Sequence, residues 1–124
     1  MKQLSTKACR RIDQILFESR KRCHRTVIEV CVYADYESRR YYYKVRSGKS
    51  HDPVIYLRIG IGANVPAILF ADYLEAANIV LSPRMSDENR LIWQYLREHS
   101  DDYYADYDID ELNDYLDAHG CERL

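Results

Sequence analysis

The chain has 124 residues, 47% hydrophobic, 31% charged and 12% aromatic, with only four glycines and three prolines. That composition excludes a fibrous or low-complexity chain, and no apolar run approaches the ~20 residues of a membrane-spanning helix. The net charge of −2 hides two opposed halves: residues 1–62 carry 14 Lys+Arg against 6 Asp+Glu, and residues 63–124 carry 4 against 14. One domain over 1–124 is expected, with a basic half (1–62) and an acidic helical half (63–124). The N-terminal residues show no hydrophobic leader, and the four cysteines avoid C-x-x-C spacing. A cytoplasmic protein with reduced thiols is therefore expected.

In chain order, a helix is expected over about 6–22. Ser5 or Thr6 can cap it, and Ala8, Cys9, Ile12, Ile15 and Leu16 recur at helical spacing. Three strands are expected next. Residues 26–34 are rich in β-branched side chains, and 39–46 and 54–61 each follow a turn-prone run. Short connections favour antiparallel hairpins. Alternation gives Ile28, Val30 and Val32, then Tyr41, Tyr43 and Val45, then Ile55, Leu57, Ile59 and Ile61 to the core face.

Residues 64–78 read as a central buried helix, apolar on nearly every side, with Asn64 or Val65 at its cap and Pro66 in its first turn. Ser86 caps a helix to about His99, with a stripe of Leu91, Ile92, Tyr95 and Leu96. Trp93 lies off that stripe, as a second core contact or as an anchor residue for a partner, and the core reading is preferred. Asp108 opens the last helix. Asp108 and Glu111 have capping-box spacing, Tyr107 and Leu112 that of a hydrophobic staple, and Gly120 supplies the stop. The order α-β-β-β-α-α-α defines an α+β fold, a three-stranded antiparallel sheet with a central buried helix.

The opening α-β-β-β-α order, over roughly residues 5–78, resembles the topology of the double-stranded RNA-binding domain. That family places lysines where the third strand turns into the second helix. Here the stretch reads Gly60-Ile61-Gly62-Ala63-Asn64-Val65-Pro66, without lysine. The resemblance is one of topology alone.

The densest chemical feature lies near the carboxyl end. Asp101, Asp102, Asp106, Asp108, Asp110, Glu111, Asp114 and Asp117 crowd a stretch with no Lys or Arg, interleaved with Tyr103, Tyr104, Tyr107 and Tyr115. Carboxylates can stand in for phosphates before a basic surface, and tyrosine adds rigid contact area. The pattern points to a small non-enzymatic interaction protein, an inhibitor or neutraliser. Phage and mobile-element inhibitors such as an anti-CRISPR, and toxin-immunity proteins, have this size and charge. The expected partner is a larger protein or ribonucleoprotein with a basic, nucleic-acid-binding site.

A competing reading uses the outward sheet face. Tyr42, Lys44, Arg46, Tyr56 and Arg58 would form a nucleic-acid platform, with rings stacking on bases and cations on phosphates. In a third arrangement the acidic helices cover that face, or two copies pair opposite halves. No cofactor, metal or catalytic centre is expected. The spacing within Cys23-His24 and His119-Gly120-Cys121 is too tight for familiar zinc sites. Gly60-x-Gly62 lacks the rest of a phosphate-loop pattern. His51-Asp52, with Ser47 and Ser50, forms no recognisable triad.

Overall fold

The structure is a computed structural model and describes residues 3–124. The described residues form seven helices: α1 (Thr6–Arg22), α2 (Val27–Tyr33), α3 (Arg40–Arg46), α4 (Pro53–Gly62), α5 (Ala67–Ala76), α6 (Asp87–Glu98) and α7 (Ile109–Ala118). Among the described residues β pairing is confined to one isolated bridge, Ser100 with Ala105. The expected α+β class and its three-stranded sheet are overturned, because all three presumed strands are helices α2, α3 and α4. None of the seven helices is long and apolar enough to cross a membrane.

Local end signals account for two of the three reversals. The Thr26 hydroxyl accepts the Glu29 N–H at 3.2 Å, and the Glu29 carboxylate accepts the Thr26 N–H at 3.1 Å. This closed capping box starts α2 despite its β-branched residues. Asp52 accepts the Val54 N–H at 3.0 Å, and Pro53 opens α4 with its φ already helical. Helix α3 has no side-chain cap; its buried residues, Tyr42 and Val45, are three apart and share one face. The apparent alternation in α4 carried no information. Tyr56, Leu57 and all of 59–62 are buried, and a helix buried all round shows no usable period.

Helix α4, rather than 64–78, is therefore the central element, packed against α2, α3 and α7. Helix α5 buries only Phe70, Tyr73 and Leu74 and leaves Ile68 exposed. Asn64 does not cap α5; it terminates α4. Helices α1, α6 and α7 match expectation, with Ser5, Ser86 and Asp108 as N-caps. The expected box at Asp108 is not closed, since the Glu111 carboxylate lies 2.9 Å from His99 Nε2 instead.

Six of the helices end in one motif. His24, Asp35, Gly48, Asn64, Asn78 and Gly120 take φ between 54° and 72°. After each, the next amide reaches back five residues: Arg25 to Arg20, Tyr36 to Cys31, Lys49 to Lys44, Val65 to Gly60, Ile79 to Leu74 and Cys121 to Leu116, all at 2.8–3.1 Å. These are Schellman closures, and four of the six use His, Asp or Asn instead of glycine.

The tightest packing is at α2 and α4. A Cβ on Gly62 would stand 2.2 Å from the Val30 carbonyl oxygen. Two arginines brace the contact from opposite sides. Arg25 donates to the Gly62 carbonyl at 2.8 Å, and Arg58 donates to the Ala34 carbonyl at 2.9 Å and to that of Asp35. Each guanidinium stacks on a tyrosine, Arg25 at 3.6 Å from the Tyr33 centroid and Arg58 at 3.8 Å from that of Tyr36.

Buried tyrosines each find a polar partner. Tyr73 donates to the Tyr56 carbonyl at 2.6 Å, Tyr56 to that of Ser50 at 3.0 Å, and Tyr107 to that of Val65 at 2.7 Å. Tyr42 accepts from Arg20 Nε at 3.2 Å.

Two outcomes follow from this packing. Gly62→Ala should cost about 3 kcal/mol, the upper range for overpacking. Gly120→Ala, over open space but at a φ of 72°, should cost about 1–2 kcal/mol. Urea unfolding midpoints test both. In alkali, burial raises the phenols of Tyr42, Tyr56, Tyr73 and Tyr107 and pushes Tyr95 up to about 12 from 10.0. A raised folded pKa gives stability that is complete below pH 10 and is lost as pH climbs through the folded values. Near-UV circular dichroism should therefore collapse together with late phenolate absorbance, near pH 12 and not near 10.

Candidate partner-binding surface

The acidic segment is held at three points. Helix α6 ends at His99 without a left-handed turn. The Asp106 amide returns to the His99 carbonyl at 2.9 Å, so 100–105 forms a closed loop. Inside it, Asp101 Oδ1 accepts the Tyr103 and Tyr104 amides, both at 2.8 Å. Those backbone bonds hold the Asp101 carboxyl below its ordinary pKa.

The second anchor is Asn64, one of the few buried polar residues. Its Oδ1 accepts the Tyr107 N–H at 3.0 Å. The third is Tyr95, whose hydroxyl accepts the Asp108 N–H at 2.9 Å and donates to the Asp108 carbonyl at 3.0 Å. Tyr95 also stacks on His99, with ring centroids 4.0 Å apart.

The scaffold sorts the predicted residues into distinct places. Tyr103 and Tyr104 are 67% and 63% exposed. Asp102, Asp106 and Asp110 are exposed and, among the described residues, join no ion pair. Asp101 serves its own loop, and Asp108 caps α7 through the Asp110 and Glu111 amides at 2.9 and 3.3 Å. Glu111 pairs with His99. Asp114 and Asp117 both face Arg123, Asp114 at 3.6 Å. Tyr107 is withdrawn into the core beside Phe70 and Tyr95, so it supports the surface from beneath.

The basic half does not neutralise this segment. Arg11–Asp72, at 3.1 Å, is the one ion pair among the described residues that joins the two halves. Arg46–Asp13 and Arg58–Asp35 stay within the basic half. Arg22 donates to the Tyr103 carbonyl at 3.3 Å, and Arg25 lines one hollow with Asp106, Asp108 and Asp110 without forming an ion pair with them.

The expected tyrosine and cation face does not form, because no sheet exists to display it. Tyr42 and Tyr56 are core residues, Arg58 is engaged with the Ala34 and Asp35 carbonyls at the end of α2, and of the five only Lys44 and Arg46 are exposed, Arg46 beside Asp13. Cys23 Sγ faces the Arg20 carbonyl and His119 Nδ1 that of Tyr115. Among the described residues no three His, Cys, Asp or Glu side chains gather into a metal-binding group. Asp52 of the His51-Asp52 pair is occupied as the α4 cap.

Asn64, expected at the cap of the following helix, is instead the residue that anchors the Tyr107 amide. Its signal was an asparagine directly after an apolar run, a left-handed terminator whose side chain is left free for other work. The fold and surface define an all-helical protein with an electrically divided exterior. Comparison with protein-family models, curated proteins and solved structures gives no match.

Asn64→Gly should keep the turn while removing the acceptor for the Tyr107 amide. We expect a loss of about 1–3 kcal/mol. Hydrogen exchange should quicken at Tyr107 and Asp106 while the α1 amides stay protected.

Proposed function

We propose that this chain is a small non-enzymatic interaction protein that occupies a basic, nucleic-acid-binding site on a larger protein or ribonucleoprotein. The class of inhibitor carried by phages and mobile elements, such as an anti-CRISPR, or a toxin-immunity protein, has this character. One observation carries the reading. Exposed Asp102 and Asp106 stand in the anchored loop segment with exposed Tyr103 and Tyr104, exposed Asp110 follows in the first turn of α7, and among the described residues none of the three aspartates joins an ion pair.

The division of labour follows from magnitudes. Exposed charge pairs contribute about 0–1 kcal/mol each, so the carboxylates mainly steer encounter and select partners. Tyrosines at the centre of an interface can each contribute more than 2 kcal/mol, roughly, and Tyr103 and Tyr104 are placed for that part. Anchoring at Asn64 and Tyr95 lowers the ordering cost of binding. The cysteines are all free, which supports a reducing, cytoplasmic setting.

Affinity capture from the native host tests the reading. The triple variant Asp106→Asn, Asp110→Asn, Asp114→Asn should retain at least tenfold less of the captured partner, and wild-type retention should weaken as salt rises. Tyr103→Ala with Tyr104→Ala should lose the partner at low salt as well. Equal retention by the triple variant and the wild type would exclude the acidic surface. A salt-sensitive mobility shift of labelled nucleic acid by the wild-type protein alone would replace the proposal with direct nucleic-acid binding.

A further inference from the structure

Beside the acidic loop, α5 and α6 leave a groove. Two open hollows of about 500 and 330 Å³ share Ala71, Leu81 and Trp93, so they form one trough. Helix α5 lines it with Ile68, Ala71 and Glu75, three and four residues apart and so along one stripe. Ile68 is 63% exposed and Val80 is 75% exposed. Trp93 lines both hollows, and its indole N–H is already given to the Leu81 carbonyl. Single exposed apolar residues are ordinary, but here they line one continuous trough.

The rim is charged and mostly of one sign. Glu75 lines one hollow and Asp101 and Asp102 the other. Among the described residues the one cation lining either hollow is Arg97, which lies 5.6 Å from the Trp93 ring centroid.

We propose that this groove receives an amphipathic helix of the partner, with an apolar face flanked by Lys and Arg. The inference rests on the reading above and deepens it by naming the partner's secondary structure and a second contact. Charge complementarity selects the occupant: its apolar side chains fill the trough over Trp93, and its flanking cations meet Glu75, Asp101 and Asp102. A second copy fits less well. The apolar stripe of α1, the long basic helix, is buried in its own core at Ile12, Ile15 and Leu16. The exposed Ile28 and Val32 sit on a helix of seven residues, roughly 10 Å long.

The test uses a fluorescein-labelled 14-residue peptide of Leu and Lys, with leucines at helical spacing. Its controls are the same composition in strict alternation, and the helical pattern with Glu in place of Lys. The helical Leu/Lys peptide should bind at least tenfold more tightly than either control in fluorescence polarisation. It should also shift the emission of Trp93, the only tryptophan. Ile68→Asp and Val80→Asp, both at exposed positions, should each weaken binding at least fivefold with unchanged far-UV circular dichroism.

Equal binding of the alternating peptide, unmoved Trp93 emission, or full binding by both aspartate variants would overturn the proposal. So would a concentration-dependent dimer dispersed by Ile68→Asp, which would assign the trough to a second copy. The two readings fail separately. Specific peptide binding with undiminished host capture by the Asp106, Asp110 and Asp114 variant removes the acidic-surface reading. Lost capture by that variant with no specific peptide binding removes the groove alone.

Discussion

Helix α4 approaches α2 so closely that its last residue has room for no side chain. Gly62 stands where a methyl group would strike the Val30 carbonyl oxygen, and Arg25 and Arg58 tie the carbonyl ends of α4 and α2 to the opposite element. The last carbonyls of a helix lack intrahelical partners, and burying them unsatisfied would cost about 1–3 kcal/mol each. The arginines supply donors while their planes lie on Tyr33 and Tyr36, so charge is brought into the fold without being stranded. Everything beyond α4 inherits this position. The left-handed turn that follows it presents Asn64 to the Tyr107 amide, and that bond sets the height of the acidic loop. The surface proposed to meet a partner is thus tied to a backbone contact made two residues before Asn64, at the end of the same helix.

The closures at the helix ends explain how so short a chain turns so often. A Schellman turn followed by a capping residue reverses the backbone in a few residues and satisfies donors and acceptors locally. The connection from α1 to α2 uses His24 and Thr26, and that from α4 to α5 uses Asn64 and Pro66. Glycine is scarce because asparagine, aspartate and histidine fill four of the six left-handed positions. Such residues keep a side chain, and at Asn64 that side chain is put to use. The Ser19 hydroxyl is a buried polar atom left without a hydrogen-bond partner.

Legibility in the sequence followed amphipathicity. Helices α1, α6 and α7 face solvent on one side, so their apolar stripes and caps could be read directly from residues such as Ile12, Ile15, Leu91 and Leu112. In α2, α3 and α4 β-branching or alternation points to strands, while in α2 and α4 the end signals point to helices. The Thr26-x-x-Glu29 box and the Asp52-Pro53 start were both present in the sequence. Burial on all sides erased the period in α4, and no propensity argument could restore it. The acidic residues were legible as a set, but their division into loop supports, caps and free carboxylates depends on hydrogen bonds that spacing does not reveal. Tyr107 shows the limit: it shares the composition of Tyr103 and Tyr104, yet its contact with Asn64 turns it inward.

The separation of charge has an energetic side. Opposite charges on one small chain gain by approaching each other, and a chain with free choice would interlace them. Here rigid elements prevent it. Most cations of α1 and α3 are exposed, and Asp102, Asp106 and Asp110 are carried on a loop and the first turn of α7, pinned at Asn64 and Tyr95. Exposed pairs would have returned at most about 1 kcal/mol each, less than the cost of releasing those anchors. The field therefore remains unneutralised at the surface, where it acts over about 8–10 Å at moderate salt. A partner that brings its own cations completes the pairing that the fold withholds. The neighbouring trough over Trp93 adds apolar area that screening does not weaken, so selection by charge and retention by burial fall on adjoining parts of one face.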